Sequence, residues 1–216
     1  MLLDPAILLA YLAAATALTI SPGPDTMFVL ASSASGGARA GVAATLGIAT
    51  GCLVHATLAA LGMSALIAAW PAAFDVLRIA GALYLAWLGF VALRAFIVGM
   101  RRNGEASPTA GAQSSWRAFR QGAVTNVLNP KVGVFYVAFL PQFVSPSLGH
   151  LPLQIITLAA IHILLGIVWL SALAAATGSA AQSFARNRRL RSWLDGTAGA
   201  IYLALAWRML VMERRS

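Results

Sequence analysis

The stretch that decides the fold is SPGPD at residues 21–25, which interrupts the apolar run 4–35. Its two prolines and its glycine remove backbone donors and break helical geometry. A helix that reaches this stretch has to stop and restart after it. Asp25, the last residue of the stretch, is a charge in the middle of an otherwise apolar segment. We therefore predict a membrane-spanning helix that is broken at its middle and carries an acid at the break.

A second interruption of the same kind occurs in the other half of the chain. Asn129-Pro130-Lys131 lies inside the apolar run 116–144, and Lys131 is the only lysine among the fifteen basic residues. We predict that this fourth span is broken as well, with a base at its break.

The composition of the chain indicates an integral membrane protein. Of the 216 residues, 60% are apolar and 10% are charged, whereas ordinary soluble domains are about 25% charged. So few charges cannot cover a water-facing surface, and about 20 apolar residues are enough for one helical span. We predict an all-α fold of six spans, with a flexible Gly/Ser/Pro-rich loop at 99–115. The predicted spans are residues 4–35, 41–69, 74–98, 116–144, 152–178 and 193–212.

The basic residues lie in the polar gaps between these spans. The net charge of +9 could indicate nucleic acid, but arginines between apolar runs are what the positive-inside rule describes. We expect membrane lipid as a partner and no nucleic acid. The gaps after the first, third and fifth spans contain Arg39; Arg101, Arg102 and Arg117; and an Arg-rich loop with Arg186, Arg188, Arg189 and Arg191.

The gap after the fourth span has no Lys or Arg, so we place the gaps after the first, third and fifth spans in the cytoplasm and both termini outside. Arg214 and Arg215 oppose this orientation. MLLDP at the N-terminus lacks the positive charge of a signal peptide, and we expect the run 6–20 to be a retained span.

The two halves of the chain resemble each other, with matches in the same order and at a nearly constant offset. Because each half has three spans, the second half crosses the membrane in the opposite sense, as in the inverted repeats of many secondary transporters. We predict one transmembrane domain, 1–216, with halves at about 1–105 and 106–216. The matches are Pro24-Asp25 with Pro130-Lys131, His55 with His162, and AGALYLA at 80–86 with AGAIYLA at 198–204.

Asp25 and Lys131 are the main candidates for substrate binding or coupling. A charge at the centre of a bilayer costs about 2.5–3.5 kcal/mol, so such residues face a bundle interior or a wet cavity. A zwitterion needs one anionic and one cationic partner, which this pair would supply. The alternative is a structural ion pair that pins the halves together.

The breaks also free backbone groups and bring amides to the second break. Free helix ends inside a membrane have to be satisfied by protein or by cavity water, and a free N-terminal end favours an anion such as a carboxylate. Asn126 and Asn129 are candidates for substrate binding or, equally, for capping of the freed backbone. The backbone positions of the candidate site are Pro22, Gly23, Pro24 and Pro130.

The two matched histidines, His55 and His162, are candidate proton carriers because imidazole titrates near neutral pH. We favour the alternative, an interhelical hydrogen bond. Two further pairs, Gly37/Gly41 and Gly47/Gly51, have the spacing of close helix contacts, and we expect them to pack within the subunit.

The chain contains no P-loop motif for nucleotide binding. A P-loop needs Gly-Lys-Ser/Thr, and the only lysine lies between proline and valine. We expect no cofactor and no metal site, since Cys52 and His55 alone would be two ligands. Uphill transport would then depend on an ion gradient or on exchange.

The motifs together resemble the LysE/RhtB family of bacterial amino-acid exporters. The resemblance covers nearly the whole chain, and its motif positions are Pro22, Gly23, Pro24, Asp25, Asn129, Pro130 and Lys131. It implies a multi-pass exporter of amino acids or close relatives in the cytoplasmic (inner) membrane, proton-coupled efflux and, in many members, a homodimer. The segments that carry it are SPGPD at 21–25, GIATGCLVHATLAALGMSALI at 47–67, AGALYLAWLGFVALR at 80–94 and NVLNPKVGVFYVAFLPQFV at 126–144.

Three other functions stay open at this point. An intramembrane serine enzyme would need a nucleophile with a partnered histidine, and Ser179 in a Thr-Gly-Ser-Ala context is a poor match. A passive channel or scaffold would not need paired breaks with opposite charges. Metal-cation efflux is the activity of a distant branch of the resembling family.

Overall fold

A computed structural model describes residues 3–69, 114–145, 148–176 and 187–211, together with scattered positions between 76 and 97. These residues form helices and, within these ranges, no strand, so the all-helical prediction is confirmed. The helices are α1 Pro5–Ile20, α2 Pro24–Ala69, α3 Ser115–Val127, α4 Pro130–Val134, α5 Leu151–Ala175 and α6 Arg188–Val211. A π-helical segment, Phe135–Phe139, and a 3-10 turn, Leu140–Phe143, continue α4.

Both predicted breaks are present. Helix α1 ends at Ile20 and α2 begins at Pro24, while α3 ends at Val127 and α4 begins at Pro130. In both cases the restart is a proline at the first helical position, where its missing N–H has no helical partner to lose. The helical run that begins at Pro130 is bent by 52° relative to α3.

Helix α2 is a hairpin of two arms, residues 24–36 and 38–69, that turns at Gly37. Gly37 has φ 73° and ψ −177°, a conformation open to glycine and costly for other residues. A Cβ placed on Gly41 would lie 3.1 Å from the Cβ of Ser33, although eight residues of unbroken helix span about 12 Å. The chain therefore folds back, in agreement with separate first and second spans.

Two details of the sequence prediction are wrong. The expected polar gap between the first two spans is a single residue, Gly37, which makes the turn and has nothing within 4 Å of where a Cβ would stand, so it is not a packing glycine. The last helix begins at Arg188 rather than at residue 193, and Arg188, Arg189 and Arg191 belong to it. Arginine is a good helix former, and neither glycine nor proline interrupts this stretch.

Other predictions fall largely outside the described residues. The described positions between 76 and 97 are helical, as the third span requires. The loop at 99–113 and Ser179 lie outside the described residues.

Glycines let α2 and α3 approach each other closely, as predicted for Gly47 and Gly51. A Cβ on Gly51 would lie 2.8 Å from the Cβ of Asn126, and a Cβ on Gly122 would lie 3.3 Å from the Cα of Ala44. Small residues at such a contact are typical of helix packing in membranes. This packing fixes the position of Asn126 beside the first break.

Two apolar clusters form the core of the described residues, and members of both line the cavity at the breaks. One contains Tyr11, Phe135, Tyr136, Phe139 and Leu158. The other is formed by Val29, Leu30, Ala44, Ile48, Leu170 and Ala174.

Many large apolar side chains point outward, including Leu9, Leu61 and Val168, each about 70% exposed. Exposed apolar surface on this scale indicates contact with lipid. By length and composition, Leu151–Ala175 could cross a membrane, and so could the stretch Pro24–Gly62, in which Gly37 separates the two arms of α2. The bent pair formed by α3 and the run 130–143 would be a third span.

Candidate functional site

The ammonium of Lys131 occupies the broken end of α1. Its Nζ donates to the carbonyl oxygens of Leu18 and Ser21, each at 2.9 Å. In a continuous helix the carbonyl of Leu18 would accept from the residue four positions later, but that residue is Pro22, which has no N–H. A cation at a helix C-terminus also complements the helix dipole. The proline thus creates the acceptor that Lys131 uses.

The second break holds Lys131 in this position. Asn129 is the N-cap of α4, and its Oδ1 accepts a hydrogen bond from the backbone N–H of Lys131 at 3.0 Å. A Cβ on Gly23 would lie 3.5 Å from the Lys131 Nζ, so the glycine borders the ammonium. Of the two sequence interpretations of Asn129, the structure shows the capping contact.

Asp25 lies in the first turn of α2, where the helix dipole favours a negative charge. Its Oδ2 accepts a hydrogen bond from Nδ2 of Asn126 at 2.8 Å, and Asn126 itself is fully buried. The other carboxylate oxygen, Oδ1, is shielded from solvent and accepts no hydrogen bond within the part of the chain that the structure describes. A buried acceptor without a donor is rare in proteins, which makes this oxygen a place for a ligand donor, a proton or a water.

A small cavity of about 50 Å³ joins the two breaks. Asp25 and Lys131 both line it, as do Gly23, Asn129 and His162. At about 15 Å³ for each water molecule, the cavity has room for about three waters. Typical pockets for small ligands are larger and start near 300 Å³. The cavity is therefore much smaller than a site that holds a whole substrate.

His55 contacts the second break at the last turn of α3. Its Nε2 lies 3.2 Å from the carbonyl oxygen of Asn126, and since a carbonyl only accepts, Nε2 carries the proton. The residue four positions after Asn126 is Pro130, so this carbonyl also lacks its helical donor. The backbone N–H of Asn129 also donates a hydrogen bond to the carbonyl oxygen of Asn126, at 2.9 Å.

Tyr136 connects the two histidines and was not singled out from the sequence. Its hydroxyl lies 3.1 Å from Nδ1 of His162, and its ring stacks on His55 at 5.9 Å between centroids. Tyr136 is fully buried in the π-helical segment that follows α4. The available signal was a single polar aromatic residue close to a predicted break.

Most of the candidate residues come together in this structure. Gly23, Asp25, Asn129, Lys131 and His162 share the cavity, while Asn126 and His55 lie behind Asp25. The prolines at 22, 24 and 130 contribute by ending or starting helices.

The family model for LysE type translocators matches residues 16–213. The chain belongs to this family. It is 31% identical over 199 residues to the leucine efflux protein of Enterobacter sp. (strain 638), with 92% of each chain covered. It is 37% identical over 169 residues to the uncharacterized membrane protein YrhP of Bacillus subtilis (strain 168), which covers 75% of this chain and 79% of that one.

A third relative, the homoserine/homoserine lactone efflux protein of Salmonella typhimurium, is 36% identical over 138 residues, covering 64% of this chain and 65% of that one. No solved structure matches the chain at a significant level. The family membership and the apolar helices together identify this LysE-type translocator as a membrane protein.

Proposed function

We propose that this LysE-type translocator is a secondary transporter that exports amino acids or close derivatives across the bacterial cytoplasmic membrane. The observation that carries the proposal is that Asp25 and Lys131, at two broken-helix ends, line one small cavity. Charges of opposite sign at such a place fit the two ends of a zwitterion. The names of the relatives make leucine and homoserine the first substrates to test.

The proposed architecture is one domain, 1–216, of six spans in two inverted halves. The two breaks support it, because each restarts at a proline followed by a charged residue. Contacts between the halves also support it: Lys131 of the second half bonds Leu18 of the first, and His55 of the first bonds Asn126 of the second. Alternating access would then be a movement of one half against the other around the cavity.

Substrate binding would exchange the partners of Lys131. A carboxylate is a stronger acceptor for an ammonium than a neutral carbonyl, because the bond is assisted by both charges. The substrate carboxylate would draw Lys131 away from Leu18 and Ser21, and the substrate ammonium would donate to Oδ1 of Asp25. Release of the α1 end from α4 would allow the 50 Å³ cavity to open.

Energy would come from the proton gradient, since the chain has no P-loop. The test is purified protein in liposomes loaded with labelled leucine or homoserine. We expect uphill movement when a pH gradient is imposed and none when an ionophore collapses it, with the Lys131→Met protein as control. Uphill movement without a gradient and without counter-substrate would contradict the coupling, and absence of any movement across a panel of amino acids would contradict the function.

A further inference from the structure

An open groove of about 720 Å³ runs along α3. Arg117 and Arg120 lie three positions apart on one face of the helix, and Trp116 lies beside them. Phe28 of α2 and Val124 of α3 form an apolar part of the groove wall. The groove shares no lining residue with the cavity between the two breaks, so the groove is a separate feature.

The arginines of the groove are available for a ligand. One face of α3, with Ala118, Gly122 and Asn126, is buried, while Arg117 and Arg120 are exposed. Neither guanidinium forms an ion pair with any residue in the described part of the chain. Trp116 is 67% exposed and stacks on Phe119 at an interplanar angle of 9°, which holds the indole at the edge of the groove.

We infer that this groove binds the phosphate headgroup and upper acyl chain of an anionic phospholipid. The planar fork of arginine matches a phosphate, and basic pockets between membrane helices bind anionic headgroups. Tryptophan is enriched where headgroups meet the hydrocarbon, and the predicted loop that precedes Trp116 places it near that boundary. Phe28 and Val124 give the acyl chain an apolar surface that a free anion would not use.

The charges argue against a second copy of the chain in this groove. In a twofold dimer the same patch meets itself, so Arg117 and Arg120 would face the same two arginines of the partner. Like charges in direct opposition disfavour such an interface. A lipid phosphate removes this repulsion.

The test is native mass spectrometry of the purified full-length protein titrated with phosphatidylglycerol or phosphatidylcholine. We expect the wild-type protein to prefer phosphatidylglycerol, and R117Q/R120Q to lose that preference by about tenfold or more, at about 1 kcal/mol for each arginine. R39Q is the control, because Arg39 is exposed, is placed on the same side by the positive-inside rule and lies outside the groove. Val124→Trp keeps both arginines but fills the groove, and we expect it to weaken binding as well.

Five outcomes would overturn the inference. An unchanged lipid preference in R117Q/R120Q would show that these arginines do not hold the lipid. An equal loss in R39Q would show that net charge alone attracts it. Normal binding by Val124→Trp would mean that the groove is not used. Displacement of the lipid by inorganic phosphate would indicate a simple anion site, and a dimer that R117Q/R120Q converts to a monomer would indicate a subunit interface.

Discussion

The ammonium of Lys131 lies 2.9 Å from the main-chain carbonyl oxygen of Leu18, an acceptor that exists because Pro22 cannot donate to it. His55 makes the corresponding contact with the carbonyl of Asn126, four residues before Pro130. At each break, a side chain from the other half of the chain therefore forms a hydrogen bond with a backbone carbonyl oxygen. In the proposed mechanism, the cavity opens when at least the first of these contacts is released.

Lys131→Met should reduce efflux by about 100-fold or more. The change removes the cation for the substrate carboxylate, and hydrogen bonds to charged groups contribute about 1.5–3 kcal/mol each. It also leaves the carbonyls of Leu18 and Ser21 without their ammonium donor, so we expect a lower melting temperature. Counterflow in liposomes measures the first effect and thermal unfolding in detergent the second. Arg39→Met, which removes an exposed charge, is the control and should change neither.

Asp25→Asn combined with Lys131→Met should restore folding without restoring transport. Removal of one partner leaves the other charge uncompensated in a low-dielectric region, and removal of both avoids that penalty. We expect the double variant to reach a higher membrane level than Lys131→Met. A double variant that exports at the wild-type rate would show that the pair is structural and that the site assignment is wrong.

Gly51→Ala should disturb the Asp25 end of the site. The new Cβ would stand 2.6 Å from Oδ1 and 2.8 Å from Cβ of Asn126, so Asn126 has to move and its hydrogen bond to Asp25 is strained. Overpacking of this kind costs about 1–3 kcal/mol, and we expect a severalfold loss of transport. Gly62→Ala is the matched control in the same helix, because a Cβ there meets open space. Equal behaviour of the two variants would contradict the proposed role of Asn126.

Proline chemistry is the reason that the breaks could be predicted from the sequence. The missing N–H of Pro22, Pro24 and Pro130 acts locally, whatever the rest of the chain does. The turn at Gly37 could not be placed because a glycine adopts a positive φ in one context and packs in another. Its role depends on contacts such as Ser33 with Gly41, which only the folded chain supplies.

The sequence brought the candidate residues together but did not predict all of their contacts. Asp25 and Lys131 were paired by sign and by their matched prolines, and they do share the cavity. The carbonyl of Leu18 was missed as a partner, although Pro22 signals it. Tyr136 was missed because its neighbours His55 and His162 are far away in sequence and meet it only through packing.

The orientation of the chain is testable with single cysteines on a Cys52→Ala background, since Cys52 is the only cysteine and is buried. Leu148 and Arg189 are exposed at the starts of α5 and α6, respectively. From the arginine distribution we expect Leu148→Cys to react with an impermeant maleimide added to intact cells. Arg189→Cys and Gly104→Cys should react only after permeabilisation. Strong labelling of either of these two in intact cells would reverse the assignment.

His162→Gln should keep most transport, because a glutamine amide can still bond the hydroxyl of Tyr136 but cannot carry a proton. The present contact joins Nδ1 of His162 to that hydroxyl at 3.1 Å, and both side chains are buried. Two assays separate the roles: exchange of substrate without a gradient, and uphill efflux driven by a pH gradient. A structural hydrogen bond predicts that both activities persist in His162→Gln and that Tyr136→Phe lowers the melting temperature, since a lost buried hydrogen bond costs about 1–3 kcal/mol. Loss of uphill efflux with intact exchange, at normal membrane levels, would instead make His162 a proton relay.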